Sequence, residues 1–200
     1  MRKTIDARGL DCPKPVMETK AAVDEGCLFL TVQVDNETAA ANVTRFLTGQ
    51  GFRVKSSREA GEITVMGEKE NDTPDKLESE EAIGGKTGNS VALLLLSDKI
   101  GAESGGLGEV LMKSFLGTVA QGAEPPGAIA LMNEGVRLAL PDRSTCDTLS
   151  ELEKKGTRLL ICGTCAKHFG ITADIKIGMI SNMFEINDIV FAAGKPVVIG

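Results

Sequence analysis

Hydrophobic and polar positions change period several times over residues 1–70. In LFLTVQV, Leu28, Leu30, Val32 and Val34 alternate with Phe29, Thr31 and Gln33, the period-2 signature of a half-buried strand. KTIDA (3–7) reads as a shorter strand before it, and between the two Val16, Met17, Lys20 and Val23 mark one side of a helix. After LFLTVQV, Asp35 or Asn36 can cap a second helix. That helix turns Ala39, Val43, Phe46 and Leu47 inward and meets Gly49 and Gly51 near its end. FRVKSS and EITVMG follow as two strands joined by a short turn containing Gly61. The order β-α-β-α-β-β predicts a two-layer α/β sandwich with both helices on one face.

The periodicity then stops. GEKENDTPDKLESEEAIGGKTGNS is polar, acidic and rich in helix and strand breakers, as a linker is. The expected organisation is therefore an N-terminal domain over 1–70, a linker over 71–88 and a C-terminal domain over 89–200, each long enough to fold alone.

The C-terminal part opens with SVALLLLS, a continuous apolar run of the kind found in strands covered on both faces. A helix over 107–119, a strand AIALMN and a helix over 149–155 follow. RLLIC reads as a third strand, IKIG (175–178) as a fourth, ISNMFEINDIVFAA (180–193) as a helix and PVVIG as a last strand. Strands alternating with helices predict a three-layer, mostly parallel α/β domain. Such sheets place their sites at the carboxyl ends of the strands.

Composition narrows the chemistry. A formal charge of −6 and the lack of a Lys/Arg cluster argue against nucleic acid as a main partner. The apolar runs fall short of the roughly 20 residues a membrane helix needs, and MRKTIDARGL lacks the apolar core of a signal peptide. The expected compartment is the cytoplasm. Five cysteines, an odd number in a reducing compartment, argue against structural disulfides. Cys27, before a strand, and Cys146, in a helix start, read as structural.

Cys12 differs. In DARGLDCPKPV the two prolines fit the first turn of a helix, where a missing N–H costs nothing. Cys12 then stands at or near the cap, where the positive helix end and a free backbone N–H would lower a thiol pKa. Lys14 and Arg8 would add to that effect. A cysteine plugging a helix–sheet junction is the plainer alternative, but the polar neighbours Arg8, Asp11 and Lys14 favour a reactive thiol.

LLICGTCAKHFG carries the second constellation. Cys162 ends an expected strand and Cys165 enters the following helix. Three chemistries fit: a redox dithiol with a depressed pKa at the helix end, half of a zinc site with His168, or persulfide handling with Cys162 as acceptor and Cys165 as resolving thiol. Zinc ranks low, since four ligands are normally needed and no second histidine exists. Two small residues packing a tight turn is the structural reading, and it leaves the pair of thiols unexplained. His168, three residues after Cys165, either assists proton transfer or lies on a helix surface. The loop SDKIGAESGGLGE has no P-loop ending and no G-x-G-x-x-G, and Glu103 would repel an anion; it reads as a flexible lip over the strand ends near Cys162.

DARGLDCPKPV resembles the D-x-x-G-x-x-C-P-x-P signature of the TusA/SirA-like sulfur-carrier family, through Asp6, Gly9, Cys12, Pro13 and Pro15. The resemblance spans the whole first domain and implies that Cys12 carries sulfur as a persulfide. The second domain is similar to the DsrE-like family, in which a strand-end cysteine corresponds to Cys162; a second cysteine is not general there. The fusion, with LLICGTCAKHFG and ISNMFEI, resembles the YedF-type proteins, which are described as sulfurtransferase-like and associated with selenium metabolism. The resemblance implies a persulfide sulfurtransferase or carrier. Sulfur or selenium would come from a donor protein, pass from Cys12 to Cys162 and leave for an acceptor protein, with Cys165 releasing it by disulfide formation. That chemistry needs no metal or organic cofactor, and DsrE-like relatives imply a homo-oligomer through the C-terminal domain. A redox protein cycling CGTC and a non-catalytic partner-binding module stay open beside it.

Overall fold

Leu30, Val32 and Val34 are buried and Phe29, Thr31 and Gln33 are not, so the alternation in the sequence is also the division between the two faces of a sheet. The computed structural model describes residues 1–59, 61–69, 91–102 and 105–200. Two compact units emerge, Met1–Gly85 and Lys86–Gly200. The expected linker, 71–88, lies outside the described residues.

The first unit runs β1 (Arg2–Asp6), α1 (Lys14–Asp24), β2 (Phe29–Val34), α2 (Glu37–Gly49), β3 (Arg53–Glu59) and β4 (Glu62–Glu68). Its sheet has the order β1-β2-β4-β3, with β1 parallel to β2 and the other pairs antiparallel. Ile5, Leu30, Val32, Val34, Ile63 and Val65 fill one face, and Val16, Ala22, Val43 and Leu47 of the helices are buried with them. Full burial of a Val or Leu side chain contributes about 1.5–3 kcal/mol. A Cβ on Gly67 would lie 3.0 Å from Leu47 Cδ1, which shows how closely α2 approaches β4. Asn36 caps α2, its Oδ1 accepting from the Ala39 N–H at 2.8 Å.

The buried stripe of α1 differs from the expected one. Pro15, Val16, Thr19 and Ala22 face inward, while Met17 is 54% exposed and Lys20 and Val23 are only half-buried. Thr19 is tolerated inside because its hydroxyl donates to the Pro15 carbonyl at 2.7 Å.

The second unit runs β5 (Val91–Leu95), α3 (Leu107–Gln121), β6 (Ala128–Leu131), a 3-10 helix (Asn133–Ala139), α4 (Ser144–Lys154), β7 (Arg158–Cys162), α5 (Gly163–His168), β8 (Met179–Ser181), α6 (Met183–Ala192) and β9 (Lys195–Ile199). The order β8-β7-β6-β5-β9 is parallel throughout. α3 packs on α4, and α6 lies against β5, β6 and β7. β6 is buried along its whole length and β7 over its last four residues, as central parallel strands are.

Boundaries move at three elements, and α4 begins at Ser144 and not at 149. The fourth strand is Met179–Ser181 and not 175–178, because Gly178 takes φ +67 and a Cβ there would lie 2.5 Å from Ile161 Cδ1. Ile180 and Ser181 consequently belong to that strand. α6 starts only after Asn182, whose Oδ1 accepts from the Glu185 N–H at 3.1 Å. Among the described residues no helix is long and apolar enough to cross a membrane.

Candidate functional site

The loop carrying Cys12 is fixed from both sides. Asp6, ending β1, accepts from Arg8 Nε and Nη2, each at 2.8 Å, and from the Arg8 N–H at 3.2 Å. The same guanidinium reaches Glu62 at the start of β4. These hydrogen bonds hold the Asp6 carboxyl at about 2 and raise Arg8 above its usual value. Gly9 adopts φ +68 and its N–H donates to Asp35 Oδ2 at 2.7 Å, so the glycine supplies a left-handed turn that other residues rarely adopt.

Cys12 is half-buried, forms no disulfide and is joined to Pro13 by a cis peptide bond. Pro13 is the cap residue of α1, Lys14 its first residue and Pro15 its second. The sulfur therefore belongs to the residue just ahead of the cap. Free helix-start amides, expected to be within its reach, are not left over. The Lys14 N–H donates to Asp11 O at 2.9 Å, the Val16 and Met17 N–H groups donate to Pro13 O at 3.0 and 3.1 Å, and the prolines have none.

The two cysteines of CGTC meet at the carboxyl end of β7, as the parallel sheet predicts. Their environments are unequal. Cys162 is 1% exposed, and burial pushes its thiol up to about 11, with the neighbouring Cys165 side chain pushing the same way against the N–H groups of Cys165 and Thr164. The depressed thiol pKa that the redox reading of CGTC expects at the helix end is not found at Cys162, where desolvation pushes the other way. Cys165 is half-buried, and its Sγ accepts the Asn133 N–H at 3.1 Å. Both are free thiols.

Asn133, at φ +47, begins the 3-10 helix that follows β6. Sequence reasoning missed it, since a backbone donor leaves no side-chain signature. It also missed Ser181, which pairs in register with Cys162 and whose buried hydroxyl donates to Glu185 Oε2 at 2.6 Å. His168 ends α5 with its ring edge-on to Phe169, centroids 5.0 Å apart. Of the glycine-rich loop, Asp98 and Glu109 line a cleft described below, while Glu103 lies outside the described residues. Among the described residues no group of three or more His, Cys, Asp or Glu is placed to hold a metal.

Residues 3–69 match the sulfurtransferase TusA family. That segment is a TusA/SirA-like domain. The chain is 35% identical to a SirA-like protein from Desulfitobacterium hafniense whose crystal structure is known; the alignment covers 32% of this chain and 93% of that one, with a TM-score of 0.31. The crystal structure of the ychN protein from E. coli aligns at 17% identity over 55% of this chain and 98% of that one, with a TM-score of 0.43. No curated protein matches the chain in sequence. Within the TusA-family unit the match takes in Asp6, Gly9, Cys12, Pro13, Lys14 and Pro15, the residues that shape the Cys12 loop.

Proposed function

We propose that this chain is a two-station sulfur relay, in which a TusA-type domain (1–70) is joined by a linker (71–88) to a DsrE-like domain (89–200), and that it acts as a persulfide sulfurtransferase with sulfur or selenium as cargo. The observation that carries the proposal is the TusA-family match over residues 3–69, with Cys12 half-buried at the start of α1. Cys12 takes sulfur from a donor protein. The Cys165 thiolate then attacks the outer sulfur of the Cys12 persulfide: the Cys12 S–S bond breaks, Cys12 leaves as thiolate and Cys165 holds the new persulfide. Cys162 can displace the cargo as hydrosulfide by attacking the inner sulfur, forming the Cys162–Cys165 disulfide.

The roles of the two CGTC cysteines are thereby exchanged relative to the family correspondence. Cys165, half-buried and hydrogen-bonded by a backbone amide, is the better placed acceptor; Cys162, buried and with a raised pKa, is the slower nucleophile, and it takes the resolving role because its thiol lies beside the Cys165 side chain. His168, ending α5, assists proton transfer. The reading assumes a reducing cytoplasm and no cofactor.

The test is to load the full chain with a persulfide donor and map added sulfur by mass spectrometry, with Cys12→Ser, Cys162→Ser and Cys165→Ser beside the wild type. Sulfur is expected on Cys12 and Cys165; its absence from both overturns the proposal. A second reading is a redox dithiol, favoured by the interaction of the two CGTC side chains. It predicts that Cys12→Ser retains full activity in thiol–disulfide exchange.

A further inference from the structure

A cleft of about 190 Å³ in the second unit is bordered by Asp98, Glu109, Lys113, Arg137 and Arg143. Both signs of charge line it, yet among the described residues none of these five side chains makes an ion pair. Charged groups that border one cleft without pairing with each other are solvated there and can exchange that water for the charges of a ligand. Three cations and two carboxylates complement a ligand with more than one carboxylate and an amine.

The 3-10 helix Asn133–Ala139 ties this cleft to CGTC. At its start the Asn133 N–H holds Cys165 Sγ; four residues on, Arg137 lines the cleft. The Arg137 guanidinium also stacks 4.5 Å from the centroid of Phe169, which directly follows α5. At about 2.0 Å rise per residue, Asn133 and Arg137 are about 8 Å apart along the helix. A ligand held at Arg137 must extend on that order to meet the sulfur at the Asn133 amide; a single amino acid, spanning roughly 3.5 Å, falls short, and three residues in extended form span about 10 Å.

We propose that the cleft binds a short peptide thiol with two carboxylates and one amine, and presents its sulfur to Cys165. Lys113, Arg137 and Arg143 take the carboxylates, and Asp98 or Glu109 takes the ammonium. The transfer step rests on the relay reading above; the binding does not. In that step the ligand thiolate attacks the outer sulfur of the Cys165 persulfide. The S–S bond on Cys165 breaks, a new one forms on the ligand, and Cys165 leaves as thiolate. The persulfide proton travels with the transferred sulfur, and nothing is oxidised or reduced overall.

S-methylglutathione, which cannot exchange sulfur, tests the binding alone. Titrated into the full-length ¹⁵N-labelled chain, it is expected to shift the amides of Ser144, Thr145 and Arg137 saturably. Arg143→Gln and Lys113→Gln should each weaken it on the order of tenfold, with amide dispersion confirming that both variants fold. S-methylcysteine should bind at least about tenfold more weakly. No saturable shift, affinity unchanged in both variants, or equal binding of S-methylcysteine overturns the proposal. Because the probe carries no transferable sulfur, binding with a blank persulfide map would sink the relay and leave the cleft standing, and the converse pattern would do the reverse.

Discussion

The backbone N–H of Asn133 donates to Cys165 Sγ at 3.1 Å, from a residue in the left-handed region. A non-glycine residue there costs about 1–3 kcal/mol unless its surroundings hold it. The donor makes Cys165 the sulfur that meets solvent with support, while Cys162 lies beneath it. Native alkylation with iodoacetamide at pH 7.5, read by peptide mass spectrometry, should therefore label Cys165 at least about tenfold faster than Cys162. Equal rates would remove the basis for separate roles.

Burial also ties Cys162 to stability. Its thiol rises from 9.0 to about 11, so the folded chain holds that proton more tightly than the unfolded chain does. The contribution is fully present below about pH 9 and is lost as pH rises toward 11. Urea midpoints measured at pH 8 and pH 10.5 should fall across that window, and Cys162→Ala should flatten the fall.

Asp6 works in the opposite direction. Its carboxyl lies at about 2 instead of 3.8 because Arg8 hydrogen-bonds the charged form. A carboxyl-detected NMR titration should place its midpoint near 2, and Arg8→Ala should return it toward 3.8. The contribution is present above about pH 4 and lost as pH falls through 2; since the pair is exposed, the effect on global stability should be small.

Gly135 lies beneath the Asn133 turn, and a Cβ there would sit 2.3 Å from the Leu95 carbonyl oxygen. Backbone cannot give way as a flexible side-chain end can. Gly135→Ala should cost about 3 kcal/mol and lower the Tm of the second unit by on the order of 10 °C. Calorimetry of the full chain should show one transition moving and the other staying.

The homo-oligomer that the DsrE-like resemblance implies for the C-terminal domain has a surface to test. β9 is an edge strand, Val198 on it is 58% exposed, and Phe191 just before it is 80% exposed. Analytical ultracentrifugation should find an oligomer that Phe191→Asp with Val198→Lys reduces to monomer. A wild-type monomer would refute it.

Much of this was legible because the governing signals are local. The alternation in LFLTVQV fixed a face, Asn36 announced a cap, and the apolar run 91–95 announced a covered strand. What was not legible depends on contacts distant in sequence. The stripe of α1 is an exception of another kind: Thr19 is buried because its hydroxyl finds the Pro15 carbonyl one turn back, a local bond that hydropathy does not encode. The last short strand waits for Gly178 to pass Leu159 and Ile161. The reversed pKa at Cys162 follows from its burial, which a motif at a helix start does not report.

The double proline of the Cys12 loop has one more consequence. Pro13 and Pro15 delete two donors from the start of α1, and Asp11 and Pro13 carbonyls absorb the amides of Lys14, Val16 and Met17. A helix start built this way turns its first amides onto carbonyls of the Cys12 loop itself, so the turn that presents the thiol is closed by backbone hydrogen bonds that need no cargo on the sulfur.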